Sequence, residues 1–222
     1  MSIAENLLRV QKTLPKGVAL IAVSKTQPVS NILAAYQAGQ RVFGENKVQE
    51  MADKYDLLPK DIEWHMIGHL QRNKVKYMAP FVSLIHGVDS LKTLQEIDKQ
   101  AKRYRRTIDC LLQVKIASES TKFGLSATAV KEILESETCQ SLANIRIRGL
   151  MGMASFTADE SVVKAEFTCL EQLFKRLQKE QITNSYFDRL SMGMSGDYTT
   201  AITAGSNMVR IGSAIFGPRN YP

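Results

Sequence analysis

The sequence predicts an α/β protein built as a single (β/α)8 barrel with one extra helix at its N-terminus. Short apolar runs alternate with longer amphipathic stretches from residue 18 to the end of the chain. Eight such runs occur, and several are rich in Val and Ile, as expected for parallel strands that are covered on both faces. A length of 222 residues suits eight βα units in a closed barrel better than an open sheet, although a doubly wound fold stays possible.

Each apolar run has the length of one strand. The runs cover residues 18–23, 41–44, 63–68, 82–87, 108–116, 145–153, 188–193 and 207–212. The stretches between them predict helices over 28–38, 46–57, 70–79, 89–104, 126–138, 158–181 and 195–204, after a leading helix over 2–13. Because parallel neighbours need long crossovers, this alternation of strands and helices predicts a parallel sheet.

The helix over 158–181 shows the clearest amphipathic pattern. Its apolar residues recur at spacings of three and four and predict one buried stripe, formed by Val163, Phe167, Leu170, Phe174 and Leu177. Thr157 followed by Glu160 predicts a capping box that opens this helix. No composition shift or Pro/Gly-rich linker divides the chain, so residues 1–222 are expected to form one domain.

Composition and cysteine usage narrow the class of protein. With 44% hydrophobic and 23% charged residues, the chain resembles neither a disordered nor a membrane protein, and no run approaches the ~18 apolar residues of a membrane span. The N-terminus lacks the apolar region of a secretory signal. Cys110, Cys139 and Cys169 lie far apart without a CxxC pair, which argues against disulfides or structural zinc and predicts a cytoplasmic protein.

The formal net charge of +7 would attract phosphates, anionic metabolites or nucleic acid. The densest basic cluster, at residues 102–106, lies at the end of a predicted helix, where cations favour the helix dipole and stay solvated. No nucleic-acid motif accompanies it, so we expect no nucleic-acid partner.

Lys25 directly follows the first predicted strand. Active sites of (β/α)8 barrels lie at the carboxyl ends of the strands, so this lysine is expected at the barrel mouth. Surroundings that disfavour its charge would leave the amine partly neutral and able to form a Schiff base with an aldehyde. The alternative is a lysine whose amine simply reaches the solvated rim.

The loops after the seventh and eighth strands are rich in small residues. They contain Ser195 and Gly196, and Gly212 and Ser213, at the corner where this fold often binds phosphate with backbone N–H groups. Plain tight turns with a serine cap would explain either loop alone, whereas their joint occurrence favours an anion site. Asp197 is interpreted as a favourable first-turn charge rather than a catalytic base.

A lysine that captures aldehydes opposite a phosphate clamp suits pyridoxal 5′-phosphate. The chain also resembles the pyridoxal phosphate homeostasis protein family, the single-domain relatives of the alanine racemase barrel. The resemblance covers essentially the whole chain, in the motifs AVSKTQP (22–28), FGENKVQE (43–50), WHMIGHLQRNK (64–74), GLMGM (149–153), LSMGMSGDY (190–198) and MVRIGSAIFG (208–217).

The resemblance implies a role for particular residues. Lys25 matches the lysine that holds the cofactor as a Schiff base, and Arg210 matches the arginine that faces the pyridine nitrogen. Ser195, Gly212 and Ser213 match phosphate-binding positions, and Asn46 matches a position close to the cofactor. Lys122, in the segment Lys122-Phe123-Gly124, also resembles a family signature, without an assigned role.

The resemblance further implies a cofactor carrier rather than an enzyme. An arginine at the ring nitrogen weakens the electron sink, and the related racemases use a second base, a tyrosine from a separate β domain. The chain ends at Pro222, after the eighth unit, so we expect no such domain, a monomer, and poor racemisation. Apo-enzymes that use pyridoxal phosphate are possible recipients.

Three other functions stay open at this point. The chain could be an amino-acid racemase or another pyridoxal-dependent enzyme, a barrel that forms aldolase-type Schiff bases without cofactor, or a regulator that binds a protein or nucleic acid. A metal site is not expected, because His65, His69 and His86 lack a ligand spacing such as HExxH. His65 is interpreted as a packed or mouth-lining residue.

Overall fold

The computed structural model describes residues 1–117, 123–180 and 182–218. Within them eight parallel strands close into a barrel in the order of the sequence, and β8 pairs with β1. The strands are β1 Ala19–Val23, β2 Val42–Glu45, β3 Glu63–Met66, β4 Leu84–Val88, β5 Ile108–Val114, β6 Ile145–Gly152, β7 Ser185–Ser191 and β8 Met208–Ile211. The predicted (β/α)8 fold is confirmed.

Helices connect consecutive strands and surround the barrel. They are α1 Ile3–Thr13, α2 Val29–Gln37, α3 Val48–Leu57, α4 Val75–Met78, α5 Leu91–Arg103, α6 Ala127–Glu135, α7 Glu137–Gln140, α8 Glu160–Gln178, α9 Tyr198–Thr203 and α10 Ser213–Phe216, with a 3-10 turn over Arg72–Lys74. The extra N-terminal helix is present as α1. It begins with a capping box, in which Ser2 accepts from the Glu5 backbone N–H and the Glu5 carboxylate accepts from that of Ser2.

Helix α8 confirms its buried stripe but corrects its start. All five apolar residues of the predicted stripe are buried against the barrel. Asp159, not Thr157, is the N-cap, and its carboxylate accepts from the Ser161 backbone N–H. The Thr157 hydroxyl instead accepts from the Asp159 N–H, too early in the chain to cap the helix, so the predicted capping box was wrong.

The helix predicted over 126–138 is divided by a second cap. Ser136 ends α6 with an extended backbone, and its hydroxyl accepts from the Cys139 N–H to begin α7. Serine competes for backbone hydrogen bonds in this way, which is why it favours helix ends over helix interiors. The stretch predicted as one helix therefore forms two short helices, both upstream of β6.

The core lies in two places. The larger part fills the space between the strands and the surrounding helices. A smaller cluster fills the barrel interior and consists of Ile21, Leu84, Leu111, Met151 and Met208. These side chains close the barrel below the carboxyl ends of the strands.

Gly149 allows β6 to lie against β7. Its φ is +148°, and a Cβ at this position would lie 1.8 Å from the Arg189 carbonyl oxygen. The pairing registers of β6 shift at this point on both sides. In the described part of the chain, every helix is too short or too polar to cross a membrane.

Candidate functional site

A cavity of about 500 Å³ opens at the carboxyl ends of the strands. It receives side chains from the ends of seven of the eight βα units, from the β1 residue Val23 to the loop after β8. The structure brings all six residues that sequence reasoning selected into its lining: Lys25, Asn46, Ser195, Arg210, Gly212 and Ser213. Residues on the first and last strands meet here because β1 and β8 are neighbours.

Lys25 lies in a tight turn directly after β1. The Gln27 backbone N–H donates to the Ser24 carbonyl oxygen over 3.0 Å, which places Lys25 and Thr26 at the two central positions. Thr26 has a φ of +63°, the conformation that a type II turn requires at its third residue and that usually calls for glycine. A β-branched residue there stores about 1–3 kcal/mol of strain, and such strain is concentrated at functional sites.

A buried ionic cluster lies directly behind this turn. The Lys54 ammonium donates to Glu45 Oε1, to Glu50 Oε1 and to the Ser24 carbonyl oxygen, each over 2.7 Å. Ser24 Oγ also donates to Glu45 Oε1, while Glu45 Oε2 is buried and has no hydrogen-bond partner among the residues that the structure describes. Burial raises the pKa of Glu45 to about 7, although Lys54 and Ser24 act to lower it. This carboxyl group therefore titrates near neutral pH.

Arg210 projects from β8 into the barrel and is almost fully buried. One terminal nitrogen donates to the backbone oxygen and hydroxyl of Ser191, over 2.9 and 2.6 Å, and the other donates to the Gly152 carbonyl oxygen over 3.0 Å. Burial lowers the pKa of the guanidinium to about 10. The group is consequently a fixed cation at neutral pH, held to β6 and β7 while it lines the cavity.

Two histidines continue this network below the cavity. His86 Nδ1 lies 3.0 Å from Ser191 Oγ, and His86 Nε2 lies 3.0 Å from His65 Nδ1. Burial lowers the pKa of His65 to about 3, and burial next to His65 and Arg210 lowers that of His86 well below its ordinary value. Both imidazoles are therefore neutral. His65 is a packed residue, and it is not among those that line the cavity.

The loops after β7 and β8 form the part of the cavity wall next to the end of β1. Ser195 Oγ accepts from the Gly212 backbone N–H over 3.3 Å, so one hydroxyl and one amide of the predicted anion site already face each other. Asp197 accepts from the Met194 N–H over 2.6 Å and occupies the N-cap position of α9. Its carboxylate is engaged in the turn that precedes α9. The interpretation of Asp197 as a first-turn charge is therefore corrected by one position, because Asp197 lies just before the first turn.

Asn46 depends on a close approach between neighbouring loops. A Cβ on Gly68 would lie 2.5 Å from the Asn46 carbonyl oxygen, and a Cβ on Gly87 would lie 2.4 Å from that of Gly68. Only glycine allows the ends of β2, β3 and β4 to pack this tightly. The position of Asn46 in the cavity wall follows from this packing.

His69 and Phe123 form the rim on the β3 and β5 side. The His69 ring stacks on Phe123 with centroids 4.9 Å apart, and its Nδ1 lies 3.2 Å from Asp89 Oδ2. Lys122 lies outside the described residues. Among the residues that the structure describes, no group of three His, Cys, Asp or Glu side chains could hold a metal ion.

Comparison with known proteins identifies the family. Residues 1–220 match the family model for the alanine racemase N-terminal domain. The pyridoxal phosphate homeostasis protein of Pasteurella multocida (strain Pm70) is 37% identical to this chain. The alignment is 234 residues long, gaps included, and covers 100% of this chain and 99% of the relative. The chain belongs to the pyridoxal phosphate homeostasis protein family. Its member from Aquifex aeolicus (strain VF5) is 38% identical over the full length of both chains.

Solved structures agree with this family. PipY of Synechococcus elongatus PCC7942 without PLP superimposes with a TM-score of 0.91 at 36% identity, covering 97% of this chain and 100% of PipY. PipY with PLP bound gives a TM-score of 0.88 at 35% identity over the same shares. Alanine racemase from Clostridium difficile 630 is 16% identical with a TM-score of 0.77, and 56% of its chain is covered. This last likeness concerns the barrel fold alone.

Sequence reasoning about this family member missed two sets of buried groups. Glu45 and Glu50 lie inside the motif FGENKVQE, yet Lys54 resembles a surface residue of an amphipathic helix. A glutamate four residues before a lysine, as in Glu50 and Lys54, was the one available signal of an ion pair. The His86–Ser191 contact joins residues 105 positions apart and leaves no local pattern.

Proposed function

We propose that this chain binds pyridoxal 5′-phosphate through Lys25 and acts as an intracellular carrier of that cofactor rather than as an enzyme. The observation that carries the proposal is the shared cavity, in which Lys25 after β1 and the loops after β7 and β8 lie side by side. PipY, which has PLP bound in one of its structures, shares this fold at 35% identity over 97% of the present chain.

The donor set of the cavity fits the chemistry of the cofactor. An aldehyde requires a primary amine, which Lys25 provides. A phosphate dianion is bound by backbone N–H groups and hydroxyls, and Ser195, Gly212 and Ser213 provide them at the expected corner. The Gly212 N–H and Ser195 Oγ are bonded to each other and would exchange that contact for phosphate oxygens. Arg210 offers a cation to a ring nitrogen.

Arg210 argues for binding over catalysis. When bound, the cofactor supplies an aldehyde for amines and a ring that withdraws electrons, most strongly when its nitrogen is protonated. The pKa of Arg210, lowered by burial to about 10, still leaves a cation at neutral pH, and a neighbouring cation disfavours a second positive charge. Among the described residues, moreover, no tyrosine lines the cavity, whereas the related racemases use a tyrosine as second base.

A pyridoxal-dependent enzyme is the second candidate, and one observation favours it. His69 lines the same cavity as Lys25, and Asp89 orients its ring through Nδ1, which leaves Nε2 available for acid–base work. Steady-state assays with D- and L-amino acids on the loaded protein separate the candidates. Turnover that matches a true racemase and is lost in His69→Gln would replace the carrier proposal.

The rim of the cavity supports exchange of the cofactor with other proteins. Phe156 is 99% exposed and Phe123 is 61% exposed, and both line the cavity, where they offer apolar surface that a bound protein could cover. We propose that apo-enzymes of the cytoplasm receive the cofactor here from a monomeric carrier. Sedimentation of the loaded protein tests the monomer, and the rate of cofactor release with and without an apo-enzyme tests the transfer. A stable dimer, or release at the uncatalysed rate when the apo-enzyme is present, would contradict these proposals.

The binding proposal is tested by reconstitution. The purified protein with pyridoxal 5′-phosphate is expected to absorb near ~420 nm, the band of a cofactor bonded to lysine. Borohydride should fix the adduct on the peptide that contains Lys25, and Lys25→Ala should abolish both signals. Lys131→Ala, on the exposed side of α6, is the matched control. Retention of the band in Lys25→Ala, with the adduct on another lysine, would refute the assignment.

A further inference from the structure

Glu45, Glu50 and Lys54, here called the anchor, form a charged cluster in a place where charges are costly. Lys54 is 6% and Glu45 0% exposed, and the Lys54 ammonium is shared between both carboxylates and one backbone oxygen. Buried ion pairs often contribute no more to stability than apolar residues of similar size. The presence of this one therefore calls for a role other than stability.

The contacts of the anchor converge on the backbone at Lys25. Lys54 holds the Ser24 carbonyl oxygen, which belongs to the peptide group before Lys25. Glu50 Oε1 accepts from the Thr26 N–H over 2.5 Å, and that N–H belongs to the peptide group after Lys25. Since φ and ψ of a residue are set by its two flanking peptide planes, the anchor fixes both dihedral angles of Lys25.

The strained turn shows that this restraint is needed. Thr26 has a φ of +63°, and β-branched residues keep such a conformation only when their surroundings impose it. The turn hydrogen bond from Gln27 to Ser24 constrains one side, and Glu50 holds the Thr26 amide from the other. Without Glu50 the peptide group at residues 25–26 could rotate, and the lysine side chain would leave in a different direction.

We propose that Glu50 and Lys54, supported by Glu45, are positioning residues that aim the Lys25 amine for aldehyde capture. The inference rests on the proposed binding of pyridoxal 5′-phosphate and adds what prepares the lysine for it. In the capture step the amine lone pair attacks the aldehyde carbon and a C=N bond forms. The aldehyde oxygen leaves as water together with the two hydrogens of the neutral amine.

The experiment compares capture with plain binding. Glu50→Ala removes the acceptor for the Thr26 amide, and Glu50→Gln retains one. The partial exposure of Glu50, 24% for its side chain, makes either change tolerable. Two probes are used: pyridoxal 5′-phosphate, which has the aldehyde, and pyridoxine 5′-phosphate, which has an alcohol in its place. Glu135→Ala, in the exposed pair of Lys131 and Glu135, is the matched control.

Misplacing a reacting group by about 1 Å can cost ~100-fold in rate, so Glu50→Ala should slow formation of the ~420 nm band about 10- to 100-fold. Its dissociation constant for pyridoxine 5′-phosphate should stay within about twofold of that of the unchanged protein, and Glu50→Gln should restore most of the rate. Capture at the normal rate in Glu50→Ala, or an equal loss of affinity for both probes, would overturn the inference.

A second measurement needs no variant. Thr26 is an exposed residue, yet its amide hydrogen should exchange slowly in the apo-protein because Glu50 accepts it. Exchange at the rate of an open loop would show that the anchor does not hold the turn. If the unchanged protein forms the band and Glu50→Ala forms it at the same rate, the anchor inference fails alone. If the unchanged protein never forms the band, or binds neither probe, the proposed function fails with it.

Discussion

The stability of the apo-protein should depend on pH through two buried groups that act in opposite directions. Burial lowers the pKa of His65 from 6.5 to about 3. Burial also raises the pKa of Glu45 from 4.5 to about 7. His65 is 5% exposed and Glu45 is fully buried, so solvent screens neither effect strongly. Each pKa difference between the folded and unfolded chain converts into a change in the free energy of unfolding.

The two signs follow from which state binds the proton more tightly. At His65 the unfolded chain binds the proton more tightly, so the stability that this residue contributes is present above pH 6.5 and is lost as the pH falls. At about pH 5 the loss is ~2 kcal/mol. At Glu45 the folded chain binds the proton more tightly, so the stability that this residue contributes is present below pH 4.5 and is lost as the pH rises through about 7. As the pH falls from about 7.5 to 5, Glu45 regains ~2 kcal/mol of stability, which nearly offsets the loss at His65.

Removing either group should reveal the other. His65→Asn keeps an amide atom near the position of Nδ1 and no longer titrates. When the pH is lowered from about 7.5 to 5, the free energy of unfolding of His65→Asn should rise by ~2 kcal/mol relative to that of the unchanged protein. The free energy of unfolding of Glu45→Gln should fall by ~2 kcal/mol. Urea denaturation of the apo-proteins at both pH values measures these differences. The reasoning is refuted if both variants show the same pH difference as the unchanged chain.

Two further predictions concern glycines. A Cβ on Gly212 would lie 3.2 Å from the Val23 carbonyl oxygen, whereas a Cβ on Gly196 would meet open space. Gly212→Ala should therefore weaken retention of pyridoxal 5′-phosphate severalfold in equilibrium dialysis, and Gly196→Ala should not. Equal effects of the two substitutions would contradict the geometry. Gly149→Ala should destabilise the apo-protein by about 3 kcal/mol or more, because its Cβ would lie 1.8 Å from the Arg189 carbonyl oxygen; an unchanged urea midpoint would contradict this.

The fold and the cavity wall could be predicted from the sequence because both depend on position along the chain. Apolar runs rich in Val and Ile identified the strands, and the residues directly after the strands of a parallel barrel all lie at the same end of it. That reasoning placed Lys25, Ser195 and Ser213 at one end of the barrel, where the structure brings them together in one cavity. This prediction requires only the order of strands and helices along the chain, and no knowledge of the distances between side chains. Arg210 was selected by the family resemblance.

The buried polar groups could not be predicted in this way, since their partners depend on barrel closure. His65 contacts His86, 21 positions away, and His86 contacts Ser191 on the far side of the barrel. Lys54 belongs to a helix in which Asp53 and Asp56 face solvent, and only the packing of α3 against β2 turns this lysine inward. Pairings of this kind depend on the pairing registers of the strands, which hydrophobic periodicity does not determine.

The adjacency of β1 and β8 has a consequence for the newly made protein. Lys25 follows the first strand of the barrel to leave the ribosome, while the loops after β7 and β8, which are proposed to bind phosphate, emerge after six further strands. A nascent chain therefore cannot retain its vitamin B6 derivative until the final strand has docked beside the first. Acquisition of the ligand would therefore report that the barrel has closed.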